Sequence, residues 1–423
     1  MGVLSGILIL ENFNILQSLK HFVLLFAQLL STPWILKTLA FALLVGSVMA
    51  LIRRSGGLEA FIRYVSEKEG LIRSERSALL LVYVIGVLIF IESSITSLVS
   101  GAIGQPLADK YGFSRAKLAY VCDATSASVC SIILFNGWGA LLVGLIVAQI
   151  ELGVIEGDAV AWLLKSIPYN FYAFSALLIA FVVIWFQIGF KTHTAPKTVS
   201  LVSAQKSDAK IGYMIWPIVW MVGFVFVFLY ITGDGNLLKG SGSSSIFYTL
   251  IVTLLLILLY YLKAGIIDVK TWAVESFLGA KSMFSIMLIL LFAFAIGQVT
   301  HDLHTGLYLA GYSKEVLDPH YIAAAVFLLA ALMAFATGTS WGTFSIMMPI
   351  AVPLAAGMDA NIALAMGAVI SGGVFGDHCS PISDTTVISS MAAGCDHIEH
   401  VKTQLPYALL GGLISLGLFT ALG

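Results

Sequence analysis

Residues Gly372–Gly394 read GGVFGDHCSPISDTTVISSMAAG, and this stretch decides how the rest of the chain is interpreted. Ten consecutive residues in it carry seven polar side chains, although its surroundings are apolar: Asp377, His378, Ser380, Ser383, Asp384, Thr385 and Thr386. Pro381 has no N–H for a helix, and we expect Gly372, Gly373 and Gly376 to loosen the turns before it. A helix broken here frees backbone carbonyls beside two carboxylates. In a bilayer such backbone is tolerated where it is buried in protein or lines a watery cavity, and these oxygens suit a small hard cation or a proton.

The composition of the whole chain indicates a membrane protein. Of its 423 residues, 59% are hydrophobic and 11% are charged, and the mean hydropathy is +0.98. Apolar runs of about twenty residues recur, which predicts an all-α polytopic membrane protein. The net charge of −1 gives no reason to expect a nucleic-acid partner, so the expected partners are the lipid bilayer and a small solute. The four cysteines show no C-x-x-C spacing and predict no disulfide framework.

Basic loops predict the orientation and the domain division. Arg53–Arg76 and Lys191–Lys210 are rich in Lys and Arg, and short basic loops stay in the cytoplasm. We therefore expect a first transmembrane repeat over residues 1–190, a cytoplasmic linker over 191–211 and a second repeat over 212–423. Leu118–Ile150 is longer than one span needs, which predicts a break or re-entrant piece there. We also expect one span to end at Pro106 and the last to run from Pro406 to Leu422.

The two halves of the sequence resemble each other. When Glu92–Asp109 is placed on Thr339–Ala356 without a gap, Ser93 falls on Ser340, Thr96 on Thr343 and Pro106 on Pro353. Further matches pair Asp123 with Asp377, Ser126 with Ser380 and Pro168 with Pro406, with a shift of register between them. Loop charges place the copies on opposite sides of the membrane. This pattern predicts an inverted-repeat secondary transporter with broken helices and a site near the midplane.

One difference between the halves concerns the N-terminus. Ile215–Ile231 has no counterpart before Met1, and Met1–Leu10 resembles only the end of a span. We therefore expect the start codon to be placed late.

Three segments carry a family resemblance. GVFGDHCSPISDTTVISSMAAGCDHIEHVKTQLPYAL at Gly373–Leu409 resembles the signature of NhaC-type sodium/proton antiporters. ATGTSWGTFSIMMPIAVPL at Ala336–Leu354 and PLADKYGFSRAKLAYVCDATSASVC at Pro106–Cys130 are similar to two further signatures. The resemblance implies a multi-pass inner-membrane exchanger that needs no cofactor besides the transported Na⁺ and H⁺. It leaves open small organic anions, such as malate and lactate, as substrates, and it leaves the oligomeric state open.

The candidate site residues follow from these patterns. A carboxylate at the centre of a bilayer costs about 3 kcal/mol on insertion scales and is by default functional. We expect Asp377, Asp384 and Asp123 to bind Na⁺ or protons, with Na⁺ held at Asp377 and Asp384. The candidate neighbours in the first set are Ser380, Ser383, Thr385, Thr386, His378, Thr125 and Ser126. A second broken segment contributes Thr339, Ser340, Thr343, Ser93, Thr96 and Asn136. Many of these hydroxyls have a plainer interpretation, because buried hydroxyls commonly cap freed carbonyls.

Three alternatives accompany this interpretation. Asp123 and Asp377 also satisfy the minimum for an intramembrane aspartyl protease, but clustered hydroxyls and breaks in both halves favour a transporter over an enzyme. An exchanger of organic anions or amino acids would need a cationic or helix-N-terminal anchor for a carboxylate. The broken segments contain no Lys or Arg, which favours a bare cation. Cys395, His397 and His400 have a spacing that zinc uses, but no fourth ligand is evident.

Overall fold

The chain is described by a computed structural model that covers residues 2–57, 60, 73–90, 93–134, 136–189, 209–235, 242–305, 308, 311 and 318–423. Within these ranges it contains eighteen α-helices, two short 3-10 turns and no β-strand, which confirms the predicted all-α class. Glu92 lies outside the described part, and so do residues 191–208 of the predicted linker.

The helices follow one another with short connections. In chain order they are α1 (Gly2–Leu10), α2 (Ile15–Ser31), α3 (Pro33–Ser55), α4 (Glu75–Leu88), α5 (Ser93–Tyr111), α6 (Arg115–Ile132), α7 (Gly137–Glu151), α8 (Ala159–Ser166), α9 (Phe171–Trp185), α10 (Gly212–Thr232), α11 (Gly242–Lys263), α12 (Val269–Ser282), α13 (Phe284–Asp302), α14 (Ile322–Thr337), α15 (Ser340–Gly357), α16 (Ile362–Cys379), α17 (Asp384–Ala393) and α18 (His397–Leu422).

Length and hydropathy identify the membrane spans. Seven segments of the described chain are long and apolar enough to cross a bilayer, and the count rises to nine if each bent pair is one span. The bent pairs are α8 with α9, at 46°, and α12 with α13, at 44°. Large apolar side chains such as Leu178, Leu332 and Leu413 are more than 60% exposed, as expected of surfaces that face lipid. The protein is therefore a multi-pass membrane protein.

Two long apolar segments are interrupted as the sequence predicted. The 118–150 segment divides at Ile133–Asn136 into α6 and α7, and the Gly372–Gly394 stretch divides at Ser380–Ser383 into α16 and α17. Two predicted boundaries are wrong, since Pro106 lies inside α5 and Pro406 lies inside α18. Membrane helices tolerate proline because neighbouring groups bind the carbonyls it leaves without a helix donor.

The structure contains a repeated set of four helices. Helices α4 to α7 begin at residues 75, 93, 115 and 137, and helices α14 to α17 begin at residues 322, 340, 362 and 384. Each helix of the second set thus begins 247 residues after its counterpart. Asp158 and Asp396 then cap α8 and α18 in the same way, with their carboxylates accepting from backbone N–H groups.

This constant offset corrects one predicted pairing. A shift of 247 residues places Asp123 opposite Ile370 and Asp377 opposite Cys130. The predicted pairing of Asp123 with Asp377, and of Ser126 with Ser380, would require a gap inside helices whose ends already match. The two carboxylates therefore occupy different positions of the repeat, and only the tertiary fold brings them towards the same site.

Glycines set the close packing of α16 against α14. A Cβ on Gly372 would meet the carbonyl oxygen of Phe327, and one on Gly376 would meet that of Ala331. Both glycines lie within the regular part of α16, so the prediction that they loosen the turns before Pro381 is wrong. Small residues four apart instead let two backbones approach closely, as is common in membrane helices.

Candidate functional site

The site is built around the two helix interruptions. At the first, the Asn136 side chain accepts from the N–H of Gly139 at 2.9 Å. The same side chain donates to the carbonyl oxygens of Phe90 at 3.0 Å and Cys130 at 2.9 Å. At the second, the Ser380 hydroxyl donates to the carbonyl oxygen of Phe335 at 2.8 Å. Side chains thus bind carbonyls near the helix ends at both interruptions.

Asp123 is the more completely bonded of the two buried carboxylates. It lies in the middle of α6 and is fully buried. Its Oδ2 accepts from Gln404 Nε2 at 2.6 Å and from Thr386 Oγ1 at 3.2 Å, and its Oδ1 accepts from Ser389 Oγ at 3.3 Å. His400 Nε2 lies 4.0 Å from Oδ2. The donors lie on α17 and α18, so Asp123 joins both of these helices to α6.

Asp377 has far fewer partners. It lies in the last turn of α16 and is 2% exposed. Its Oδ2 accepts a long bond from Thr385 Oγ1 at 3.5 Å, and the side chains of Ser383 and Ser340 interact with the same carboxylate. Its buried Oδ1 has no hydrogen-bond partner among the described residues. A buried carboxylate with so few donors is stabilised by a bound cation or by a proton.

Two neighbouring threonines connect the carboxylates. Thr385 donates to Asp377 and Thr386 donates to Asp123, at 3.5 and 3.2 Å. Ser383 caps the same helix by accepting from the N–H of Thr386 at 3.4 Å, and its hydroxyl lies 3.0 Å from that of Thr385. The first turn of α17 therefore supplies hydroxyl oxygens beside carboxylates from both halves of the chain.

Asp384 and His378 differ in exposure, which the sequence did not predict. Asp384 is the first residue of α17 and is exposed, unlike Asp123 and Asp377. His378 is buried, and its Nδ1 lies 3.1 Å from the hydroxyl of Tyr172. Its Nε2 has no hydrogen-bond partner in the described structure. Asp384 thus lies outside the buried cluster, and His378 is paired with a tyrosine of α9.

Several predicted neighbours bind backbone carbonyls, although the Ser340 side chain also interacts with Asp377. Thr125 donates to Val121 O at 2.8 Å and Ser126 donates to Asp123 O at 2.9 Å. Thr343 donates to Thr339 O at 3.0 Å, Ser340 to Gly373 O at 3.2 Å, and Thr96 to Ile89 O. Thr339 caps α15 by accepting from the N–H of Gly342 at 3.3 Å, and Ser93 begins α5 as a buried residue. These contacts match the plainer interpretation of buried hydroxyls.

The structure adds Gln404, Ser389 and Ser97 to the Asp123 cluster, and the sequence did not identify these residues. Gln404 donates both to Asp123 and to the carbonyl oxygen of His378, the latter at 2.9 Å. Ser389 bonds Ser97 at 3.0 Å as well as Asp123. Ser389 follows Thr386 by three residues on one helix face, a spacing that sequence reasoning could have used. Gln404 lies in a polar stretch that resembles a helix surface, so no local signal identifies it.

The His residues after α17 make hydrogen bonds to a serine hydroxyl and a backbone carbonyl. Nδ1 of His400 and Nδ1 of His397 lie 2.8 and 3.1 Å from the Ser390 hydroxyl, and Nε2 of His397 lies 2.7 Å from Pro381 O. Burial raises the pKa of the Cys395 thiol to about 12, and the thiol donates to the carbonyl oxygen of Asp396 at 3.3 Å. No group of three or more His, Cys, Asp or Glu suited to a metal occurs in the described part of the chain.

Comparison with known proteins agrees with this architecture. The profile described as the Na⁺/H⁺ antiporter family matches residues 129–423. An uncharacterized protein of Haemophilus influenzae is 32% identical over 437 aligned positions, which cover 96% of this chain and 83% of that protein. The malate-2H⁺/Na⁺-lactate antiporter of Bacillus subtilis is 34% identical over 112 residues, 26% of this chain and 24% of that protein.

A solved structure shows the same fold. The YdaH transporter of Alcanivorax borkumensis, whose topology is described as unusual, superposes with a TM-score of 0.67 at 14% identity. The match covers 96% of this chain and 88% of that chain. At this identity the likeness concerns the fold alone.

Proposed function

Since the chain belongs to the Na⁺/H⁺ antiporter family, we propose that it exchanges Na⁺ for protons across the cytoplasmic membrane, with Asp377 as the exchanging group. The family consists of membrane transporters, so the protein is a transporter and not an enzyme, and the protease alternative is set aside. The proposal concerns the ion pair that is exchanged and the residues that bind it.

One observation carries the proposal: the buried Oδ1 of Asp377 has no hydrogen-bond partner among the described residues. A buried carboxylate oxygen without a donor is costly when the group is charged. A proton on Asp377 removes the charge, and a bound cation neutralises it. Na⁺ and H⁺ therefore compete for one group, as antiport requires.

The neighbouring oxygens suit the cation. The hydroxyls of Ser383 and Thr385 lie beside Asp377, and hard cations prefer carboxylate, hydroxyl and carbonyl oxygens. Asp123 accepts bonds from Gln404, Thr386 and Ser389 and lies in the same buried cluster as these oxygens. In this arrangement Asp377 exchanges its partner while Asp123 keeps its three hydrogen bonds.

Transport also requires that the site face each side of the membrane in turn. The recurring helices α4–α7 and α14–α17 are the two halves that we expect to move against each other, with the loops 53–76 and 191–210 in the cytoplasm. Helix α7 of the first set packs on α15 of the second, and α17 of the second packs on α5 of the first. These reciprocal contacts support a site at the interface of an inverted repeat.

The first test is the Asp377→Asn variant. It keeps the volume of the side chain but removes its charge and its titration. We expect loss of at least 95% of Na⁺-induced proton movement in everted vesicles, followed with a pH dye at several pH values and normalised to protein abundance. The matched control is Asp359→Asn, because Asp359 is exposed and adopts a positive φ of 55° that asparagine also tolerates. Normal exchange by Asp377→Asn, with an unshifted pH profile, would remove Asp377 from the mechanism.

A second candidate function is exchange of a small organic anion. It is favoured by the local similarity to the malate-2H⁺/Na⁺-lactate antiporter and by the N-termini of α7 and α17, since helix N-termini attract anions. Adding malate or lactate to the same vesicles distinguishes the candidates. Proton movement that depends on either anion, and that Na⁺ alone does not elicit, would favour the second.

A further inference from the structure

The C-terminal end of α17 is held to the first set of four helices by two side chains. Gln105 Nε2 of α5 donates to the carbonyl oxygen of Ala392 at 2.7 Å. Arg115 Nη1 of α6 donates to the carbonyl oxygen of Ala393 at 3.2 Å, and its Nη2 donates to both carboxylate oxygens of Asp109 at 2.8 and 3.0 Å. The last carbonyls of a helix have no partner within the helix, and a cation near them is favourable. We call the two bonds to α17 the latch.

The packing around the latch is close. Gln105 and Arg115 are each only 9% exposed. A Cβ on Gly101 of α5 would meet the backbone of Ala392, so the two helices are in direct contact beside the latch. The first set of helices and α17 are therefore closed against each other at this end.

A cavity lies at the other end of the same bundle. It has a volume of about 330 Å³ and lies between the C-terminal ends of α7 and α13 and the proline-containing part of α15. Gln149 lines it, and so do His301 and His304, which are exposed, so the cavity reaches the surface. Its lining includes Gly357 and, eight residues earlier in α15, Pro349, so it follows that helix inward for roughly 12 Å.

The latch and the cavity lie at opposite ends of one membrane span. The segment Arg115–Glu151, which forms α6 and α7, is long and apolar enough to cross a bilayer. Arg115 at its beginning is part of the latch, and Gln149 near its end lines the cavity. Asp123 lies between them on the same segment. The bundle is thus closed towards one face of the membrane and indented from the other, with the carboxylate cluster between.

The internal repeat shows that this difference is encoded in the sequence. The cavity end of α7 and α15 is the counterpart of the latch end of α17 and α5, because equivalent helices begin 247 residues apart. At that offset the latch donors Gln105 and Arg115 correspond to Val352 and Ile362. Neither of these side chains can donate a hydrogen bond. The cavity end therefore has no counterpart of the latch.

We propose that the latch is the closed gate of the transporter at its cytoplasmic face, with Gln105 and Arg115 as the gate residues, and that the cavity is the open entrance at the outer face. Lys117 Nζ donates to Glu75 Oε1 at 3.0 Å, which places the latch end beside the start of α4. That start adjoins the basic 53–76 loop, which we expect in the cytoplasm. The gate depends on the protein being a transporter and applies to either candidate substrate.

Opening the gate requires the end of α17 to move away from α5 and α6. Water can replace the two donors at the carbonyls of Ala392 and Ala393, so the net cost of breaking the latch is small. The first turn of α17 holds the hydroxyls of Ser383 and Thr385 beside Asp377. A movement of this one helix therefore couples opening of the gate to the ion site.

The test measures access to the interface behind the latch. Ser97→Cys places a thiol in α5 eight residues before Gln105, roughly 12 Å deeper along the helix. The Ser97 hydroxyl lies 3.0 Å from that of Ser389 of α17, so this position lies in the interface that opens. Sealed everted vesicles, which expose the cytoplasmic face, are treated with a charged methanethiosulfonate reagent that does not cross the bilayer. The rate of labelling at position 97 is measured by mass spectrometry of peptides.

Three methionine variants are compared in the Ser97→Cys background. Gln105→Met and Arg115→Met remove the latch donors and keep an unbranched side chain. The matched control is Lys117→Met, which breaks a bond between α6 and α4 within the first set and does not involve α17. We expect each latch variant to raise the labelling rate at position 97 at least fivefold, and the control to stay within twofold of the background.

Cys122 reports any general loss of packing, because it is fully buried and its side chain interacts with Ser100 of α5. Labelling of Cys122 alongside position 97 would overturn the gate, since the latch would then only stabilise the fold. An unchanged rate in both latch variants, an equal rise in Lys117→Met, or a rise only from the outer face of intact cells would also overturn it.

Labelling requires neither Na⁺ nor Asp377, so the two proposals can fail separately. Faster labelling of the latch variants, in a protein without Na⁺-induced proton movement, contradicts only the proposed exchange. Normal exchange with unchanged labelling contradicts only the gate.

Discussion

The two interruptions of the repeat are equivalent in position but differ in chemistry. Asn136 and Ser383 cap α7 and α17 at positions 247 residues apart. The amide of Asn136 binds the carbonyls of Phe90 and Cys130, so the first interruption is closed by neutral hydrogen bonds. Near the second, Asp377 keeps a buried oxygen without a partner among the described residues. The same backbone break thus serves as a support in one half and as a candidate ion site in the other.

The buried carboxylates differ in the same way. Asp123 accepts from three side chains, whereas Asp377 accepts one long bond. A carboxylate with three side-chain donors orders the helices around it. A sparsely bonded one gains most from a proton or a cation. The comparison predicts that Asp123 acts mainly on stability and Asp377 mainly on exchange.

The largest expected effect is on stability, from Asp123→Ala. This change removes the acceptor that Gln404, Thr386 and Ser389 share, and a buried polar group left unsatisfied costs about 1–3 kcal/mol. Gln404 keeps its bond to His378 O and Ser389 its bond to Ser97, so Thr386 loses most. We expect a loss of about 3 kcal/mol or more, seen as a lower Tm of the detergent-solubilised protein and reduced abundance in the membrane. Asp377→Ala should lower the Tm much less. If Asp123→Ala and Asp377→Ala have the same Tm, the two carboxylates do not differ in their effect on stability.

The next largest effects are expected from removing the equivalent helix caps Asn136 and Ser383. Asn136→Ala removes a cap and two bonds to carbonyls, which should lower stability by about 1–2 kcal/mol with no change in the apparent Na⁺ KM. Ser383→Ala removes the equivalent cap and a hydroxyl beside Asp377, so it should raise that KM about three- to tenfold. The measurement is the Na⁺ dependence of exchange alongside thermal melting. Equal KM values for both variants would mean that Ser383 is only a cap.

The smallest effect is expected from Asp384→Asn. The residue is exposed at the start of α17, so water and salt screen its charge. We expect a rise in the apparent Na⁺ KM of less than threefold, which becomes smaller when choline chloride raises the ionic strength. Complete loss of exchange would instead place Asp384 beside Asp377 as a direct ligand.

The sequence predicted the fold class, the two interruptions and the polar stretch around Asp377, but it misjudged how the parts meet. It paired Asp123 with Asp377 by residue type, while the helix boundaries place them seven residues apart in the repeat. It predicted that Gly372 and Gly376 loosen the helix, although both pack closely against the backbone of α14. It treated Thr125 and Ser126 as candidate ligands, although both bind carbonyls of their own helix.

What the sequence determined by itself is local. Long apolar runs must form helices in lipid because each backbone group needs a partner within its own segment, and the interruption at Ser380–Ser383 contains Pro381, which has no N–H for a helix. Only the tertiary structure decided that Gln404 binds Asp123 across 281 positions of the chain, and that Gln149 lines a cavity without a partner among the described residues. Both outcomes depend on how distant helices pack, and the local hydropathy of a helix does not specify which polar side chains its neighbours present.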